Sequence, residues 1–409
     1  MKLINVTEPE AVFGLIAENF SALEAEEVDI EKAGGRCLAE DYFSGEDLPG
    51  FDRSTVDGYA LQARDTFGSR EGLPSVLDLE GEVLMGAAAR KINAGQCCLI
   101  HTGGMLPAGA DAVVMVEDTE TASDTVHVYR QVAPGENVIH RGEDLGRGER
   151  ALAAGSRLRS AEIGLLASMG ATRVKVHRRP VMGLLSTGDE LVPHDSRNLE
   201  PGRVRDCNTP ALAYLGQKGG AEIASEGILP DIFDQFLEKS RNLLARVDFL
   251  VLSGGSSVGS RDFTARTLQE LGRPGLLVEG ISIKPGKPTL LANCGGKPVL
   301  GLPGHPISAL NVFLIFGMAI LDRLSGRQRH RRFFPTVNAI LTRNLPSRSG
   351  QTDFARVRIE RENGQVLAVP VFGRSGMLRT MAEADGFIIV KPEMEGLEAG
   401  TEVQVFLWE

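Results

Sequence analysis

The feature that most constrains this chain is the rhythm that begins at Pro180. Short apolar runs alternate with longer amphipathic stretches as far as Arg327. Val181–Ser186 reads as a strand, and Asn208 or Thr209 caps a helix with Pro210 in its first turn. Gly219-Gly220 ends that helix. A strand at Ala221–Leu229, a helix at Ile232–Arg246 and a strand at Asp248–Ser253 follow. A helix after Asp262, strands at Thr289–Ala292 and Val299–Leu302 and a helix after Pro306 complete the unit. Strands built on continuous apolar runs and alternating with helices predict a parallel, doubly wound sheet covered on both faces.

The flanking segments read differently. Residues 8–33 carry apolar side chains at helical spacing, and 76–131 resemble short strands and turns. A helix is expected from Ser160 to Gly170, then a strand at Arg173–His177. Beyond Arg327, strands are predicted at Val337–Leu341, Phe354–Ile359, Val366–Val371, Gly386–Val390 and Glu402–Leu407. Asn363-Gly364 is a two-residue hairpin signal. A chain of 409 residues exceeds one core, so several domains are expected.

Composition narrows the function. A net charge of −10 disfavours a general nucleic-acid binder, which needs a basic surface, but leaves room for a local pocket for a small anion. Glycine is abundant at 48 residues, against a usual ~7%. Five cysteines without zinc spacing point to reduced thiols in the cytoplasm. The acidic N-terminus does not read as a signal peptide. Ala309–Leu321 is the most apolar stretch and is read as a buried helix, too short to cross a bilayer.

Ligands of a doubly wound sheet bind beyond the carboxyl ends of its strands. Four loops fall there. Thr187-Gly188-Asp189-Glu190 brings a hydroxyl and two carboxylates. Ser253-Gly254-Gly255-Ser256-Ser257 offers backbone N–H groups to an oxyanion. Lys284-Pro285-Gly286-Lys287-Pro288 sets two cations on a stiff turn. Gly301-Leu302-Pro303-Gly304-His305-Pro306 opens a helix, another anion site. Singly, each also reads as an ordinary turn; together they predict a shared anion pocket. No GxxxxGK[ST] or well-placed GxGxxG is present, which disfavours a P-loop or dinucleotide site. Two clusters lie outside this unit: Asp52 to Ala60, which also suits structural capping, and Arg141-Gly142-Glu143-Asp144, which also suits a surface hinge. None of the seven histidines pairs at ligand spacing.

In order, Arg53-Ser54 with Val56-Asp57-Gly58-Tyr59-Ala60, Thr102-Gly103, Ala110 to Val114, Arg141 to Asp144, Ser186 to Leu191, the loop from Ser253 to Gly259, Lys284 to Pro288 and Gly301 to Pro306 resemble the molybdopterin molybdenumtransferase family. The resemblance covers roughly residues 10 to 390. It implies four parts: an elongated connector domain (1–45 and 143–177), an inserted β-rich domain (46–142), an α/β molybdopterin-binding domain (178–327) and a C-terminal β-barrel (328–409). It implies a homodimer with each site shared between subunits.

Carried over by position, Asp57 and Thr102 face the site from the inserted domain, and Thr102 and Asp144 contact substrate. Asp189, Glu190, Asp231 and Asp262 are its acidic residues, and Lys284 and Lys287 its cations. Thr187, Gly188, Ser253, Gly254, Gly255, Ser256, Pro303 and Gly304 contact substrate, and Arg374 and Ser375 approach from the barrel. Glu190 and Asp262 are the expected Mg²⁺ ligands, and Glu190, Asp262, Asp57 and Lys284 the expected catalytic residues. The implied reaction takes adenylylated molybdopterin and molybdate to molybdenum cofactor and AMP, with tungstate an open alternative donor. An upstream adenylyltransferase and acceptor molybdoenzymes are implied transient partners; no nucleic acid or membrane is expected. Where family members carry a basic residue four positions before Lys284, this chain has Gly280, and where they often have Arg, it has Ile139-His140. An inactive scaffold relative and another pterin or nucleotide pyrophosphate hydrolase remain alternative readings.

Overall fold

The computed structural model describes residues 6–88, 90–254, 258–327 and 334–408, with the side chains of 258–262 excepted. Its centre is a six-stranded sheet. In chain order the unit runs β1 (Val181–Thr187), α1 (Asn208–Lys218), β2 (Glu222–Leu229), α2 (Phe233–Arg246), β3 (Phe249–Gly254), α3 (Val258–Leu271), β4 (Pro274–Val278), β5 (Leu290–Cys294), β6 (Lys297–Leu302) and a closing helix, α4 (Pro306–Leu324). The spatial order is β2-β1-β3-β6-β5-β4. Strands β2, β1, β3 and β6 run parallel to one another.

The sheet departs from the all-parallel expectation at one edge. β5 runs antiparallel to both β6 and β4, and β4 was not predicted. β5 and β6 are separated only by the Gly295-Gly296 turn, both residues at positive φ, and a hairpin that short forces antiparallel pairing.

Both sheet faces are buried, as the apolar strands require. Met182, Leu184, Phe249, Val251, Leu300 and Leu302 meet α4 on one side. Leu185, Leu250, Leu252 and Val299 meet α2 and α3 on the other. Each such side chain contributes roughly 1.5–3 kcal/mol by burial. The helix Pro9–Asn19 also lays Val12 and Ile16 onto the first of these cores. It is shorter than the 8–33 pattern suggested, because Ala25–Asp29 leaves to pair with Arg173–His177. Length does not exclude α4 from crossing a bilayer, as its 19 residues suffice; but 89% of its apolar window is packed inside the protein, so it is a core helix.

Two small sheets, one of them Ala25–Asp29 with Arg173–His177 and the other Tyr42–Phe43 with Arg150–Leu152, share a core with the helix Ser160–Ser168. Arg159 is the N-cap of that helix, and its N–H donates to Glu162. Between these chain segments lies a second six-stranded sheet that includes Gly58–Leu61, Gln96–Ile100 and Ala112–Met115. Gly58 is required there: a Cβ would stand 1.9 Å from the Val114 carbonyl oxygen.

The C-terminal strands close into a barrel, because Thr352–Glu362 pairs with both Gln365–Pro370 and Gly386–Val390. Asn363 and Gly364 both take positive φ, as a type I′ hairpin needs. Ile283–Lys284 of the central unit adds to this barrel beside Thr352 and Asp353.

Candidate functional site

β1 connects outward to β2 on one side, while β3 lies on its other side. The chain therefore changes direction between β1 and β3, and a crevice opens beyond their carboxyl ends. Thr187 and Gly254 are register partners at those ends. Gly254 has φ +122°, and a Cβ there would sit 2.1 Å from the Thr187 carbonyl oxygen. Only glycine allows the strands to end so close together.

A pocket of about 460 Å³ occupies this crevice, lined among others by Thr187, Gly188, Glu190, Asp231, Ser253, Gly254 and Gly304. Thr187 Oγ1 donates to Asp231 at 2.6 Å, and the Asp231 N–H donates to Asp189 at 3.1 Å. Thus two carboxylates of different loops are held by one hydroxyl and one amide. Glu190 is exposed and lines the pocket. Asp189 instead faces an adjoining hollow of about 750 Å³, walled by Arg203, Asp206, Thr209 and Ser225. Pro303 is buried just before Gly304.

The structure adds residues that the sequence reading used only as helix caps or left out. Asn208 is 7% exposed, and its amide donates to Ser253 Oγ at 2.9 Å and to the Gly304 carbonyl at 3.0 Å. One side chain thereby joins two of the loops to the start of α1. Asp206 accepts from the N–H groups of Asn208 and Thr209 and from Thr209 Oγ1 at 2.6 Å. Ser186 Oγ completes the chain by donating to Thr209 at 2.8 Å. The sequence signal was Asp206 and Asn208 ahead of Pro210, an Asx-rich helix start.

The lysine loop is placed apart from the carboxylates. Lys284 and Lys287 line a groove of about 520 Å³ between the central unit and the barrel, with Ser308, Asp353, Arg356, Arg374 and Ser375. Ile307 N–H donates to the Ser375 carbonyl at 3.2 Å. Ser375 lines the groove and Gly376 the pocket, so this barrel loop is the wall between them. Lys284 Nζ is 2.6 Å from Asp353. Arg356, unnoticed in the sequence, donates to the Gly373 carbonyl at 3.1 Å, and its buried Nε has no partner among the described residues. Burial pulls its guanidinium below the usual value.

Asp57 and Thr102 meet in the inserted sheet. Thr102 N–H and Oγ1 both donate to Asp57 Oδ1, at 2.8 and 3.3 Å. The amide bond is the main reason that the Asp57 carboxyl is held below its ordinary value. His101, also missed, stands 3.5 Å from Asp57 and 2.9 Å from Glu82. Its hydrogen bond to Glu82 raises its pKa. No residue of this sheet lines the pocket, the hollow or the groove. Asp144 N–H donates to the Leu48 carbonyl; it too lines none of the three. Gly255 and Ser256 lie outside the described residues. Asp262 falls inside α3, not before it, and its side chain is not described. Among the described residues, no three His, Cys, Asp or Glu side chains group to hold a metal.

The fold and site define a multidomain protein of the doubly wound α/β class, with an acidic crevice at the switch point of its sheet and a cationic groove beside it. A family model described as the MoeA N-terminal region (domain I and II) matches residues 7–170, one described as a probable molybdopterin binding domain matches 183–323, and one described as the MoeA C-terminal region (domain IV) matches 338–408. The molybdopterin molybdenumtransferase of Bacillus subtilis is 32% identical over 390 residues, covering 94% of this chain and 90% of its own. That of Haemophilus influenzae is 32% identical over 386 residues, covering 93% of each. The solved molybdopterin biosynthesis MoeA protein of Pyrococcus horikoshii superposes with a TM-score of 0.80 at 30% identity, over 99% of this chain and 100% of that one. The chain belongs to the molybdopterin molybdenumtransferase family.

Proposed function

We propose that this chain inserts molybdenum from molybdate into adenylylated molybdopterin, releasing AMP and forming molybdenum cofactor. The observation that carries the reading is the pairing, at one sheet edge, of a carboxylate pocket with a cationic groove, only a barrel loop apart. Both substrates are anionic, and their phosphates and oxyanion need cations and N–H donors. Lys284, Lys287, Arg356 and Arg374 supply the cations. Gly254 lines the pocket where β1 and β3 end.

Cleaving the phosphoanhydride consumes one water, whose oxygen ends on phosphorus. Of the two exposed carboxylates that line the pocket, Asp231 is tied to Thr187, and Glu190 takes the water's proton in this scheme. Thr187 and Asp189 hold Asp231 against the same wall. Magnesium fits the site chemically: it uses one or two carboxylates and completes its shell with water and substrate phosphate oxygens. Glu190 and Asp262 would hold it, and when bound it neutralises phosphate charge.

The site is shared in a homodimer. Supporting this, Asp57 and Thr102 form an ordered carboxylate–amide pair, yet no residue of their sheet lines any of the three cavities at the central edge. We place the reaction in the cytoplasm, in line with five free cysteines, four of them buried. An adenylyltransferase would deliver the pterin, and molybdoenzymes would receive the product.

Anaerobic incubation of the purified protein with adenylylated molybdopterin and molybdate tests the reading, with AMP and cofactor quantified by mass spectrometry. Stoichiometric AMP and metal-loaded pterin are expected, and tungstate serves as the competing oxyanion. A protein that binds the pterin and never releases AMP would overturn it.

A further inference from the structure

At the opposite end of the central sheet, before β1 begins, lies a pocket that the proposed reaction does not use. It measures about 210 Å³, below the ~300–1,000 Å³ of sites that enclose a drug-sized molecule. Its lining includes Arg36, Arg157, Arg178, Arg179, Lys218 and Arg327, with Asp322 the sole carboxylate among the described residues. In a chain whose net charge is −10, that is a local reversal of sign. The cations arrive from separate segments: the Gly34–Cys37 turn, Arg157, the approach to β1, the end of α1 and the end of α4.

Internal partners account for three of the arginines. Arg36 binds Glu26 and the His177 carbonyl. Arg178 grips both oxygens of Asp248 at 2.6 Å and reaches Glu24. Arg327 meets Asp322 at 3.1 Å. Two guanidinium groups remain. Arg157 donates only to the Gly35 carbonyl, and Arg179 has no side-chain partner, among the described residues. The C-termini of α1 and α4 favour cations nearby, but their carbonyls give neither arginine a hydrogen bond. Planar forks with spare donors match tetrahedral oxyanions two bonds at a time, and two positive charges match one dianion.

We propose that this pocket binds a small tetrahedral dianion, either free inorganic phosphate or the terminal phosphate of a nucleotide, clamped by Arg157 and Arg179. Arg157 belongs to the connector segments and Arg179 to the entry of β1. The bound ion therefore pins these two parts together, far from the catalytic edge.

Calorimetric titration with inorganic phosphate and, separately, with AMP tests this. Wild type is compared with Arg157→Gln/Arg179→Gln, Arg157→Lys/Arg179→Lys and the groove variant Lys287→Gln/Arg374→Gln. The glutamine pair should lose one binding equivalent that the groove variant retains. The lysine pair, which keeps the charges and the fold but not the forks, should bind at that site about tenfold more weakly. Phosphate at saturation should raise the wild-type Tm by about 2 °C or more, and the glutamine-pair Tm by less. Equal or tighter phosphate binding than AMP marks the free ion as occupant; AMP favoured about tenfold marks a nucleotide. Unchanged stoichiometry and affinity in both the glutamine and lysine pairs would overturn the proposal.

Discussion

Lys284 and Asp353 meet at 2.6 Å across the seam between the central unit and the barrel, with Asp353 only 5% exposed and Ser347 Oγ donating to the same carboxylate oxygen at 3.0 Å. The cation expected to serve the substrate thus already holds two domains together. Removing it leaves a buried carboxylate with one neutral partner. Lys284→Ala is therefore expected to lower stability by about 1–3 kcal/mol, less than the loss of a fully buried pair because the lysine is half exposed. Denaturant unfolding measures this, and an unchanged midpoint would show the pair to be energetically idle.

Asp353→Asn separates the two roles. The amide keeps the shape but releases the lysine charge to the groove. Anionic ligand should bind several-fold more tightly there, with a steeper salt dependence. Titration with molybdate at two ionic strengths reads it; weaker binding would mean that Asp353 positions Lys284 for the ligand.

Glu190→Gln should leave the fold intact, since the side chain is exposed and surface changes usually stay within about 0.5 kcal/mol. Insertion should fall about 10²–10⁴-fold, the usual contribution of a positioned acid or base. Near-normal turnover at matched Tm removes Glu190 from the mechanism.

If the site is shared, mixing inactive Asp57→Ala and Glu190→Ala subunits should restore part of the activity. In a mixed dimer one site keeps both residues, whereas neither parent dimer has a complete one. Exchange is followed by native mass spectrometry. A confirmed heterodimer without activity places both residues in one chain or leaves Asp57 as a structural acceptor for Thr102.

His101 should titrate above the ordinary ~6.5, because Glu82 and then Asp57 favour its protonated ring. A raised folded-state pKa adds stability in full below the unfolded value, and that stability fades as pH rises through the folded one. Asp57 has the reverse sign: its depressed pKa stabilises above the unfolded value and is lost as pH falls through the folded one. NMR titration of the His101 ring should show its pKa drop in Glu82→Gln; no change would assign the shift to another group.

The central strands were legible because period and polarity are local. Val181–Leu185 carries no polar side chain and had to be buried on both faces, and Glu402–Val405 alternates as barrel strands do. The loop motifs that hold Glu190, Gly254 and Lys284 were legible by the same locality. Other outcomes depend on residues far apart in the chain. β5 lies antiparallel because the Gly295-Gly296 turn is too short for a crossover, and its partner β4 carried no periodic signal. Asn208 looked like a cap, and only packing revealed that its amide reaches Ser253 and Gly304. Arg356 sits in a strand whose pattern says nothing about which groove it faces, and Asp353 finds Lys284 only once the barrel closes against the central unit. The sequence by itself determined most of the central and barrel strands, their turns and the chemical types of the loops, since these follow from side-chain period and backbone freedom. Tertiary structure alone decided which charges are already neutralised and which stay free for a ligand, because electrostatic pairing is set by distance in space and not by separation along the chain.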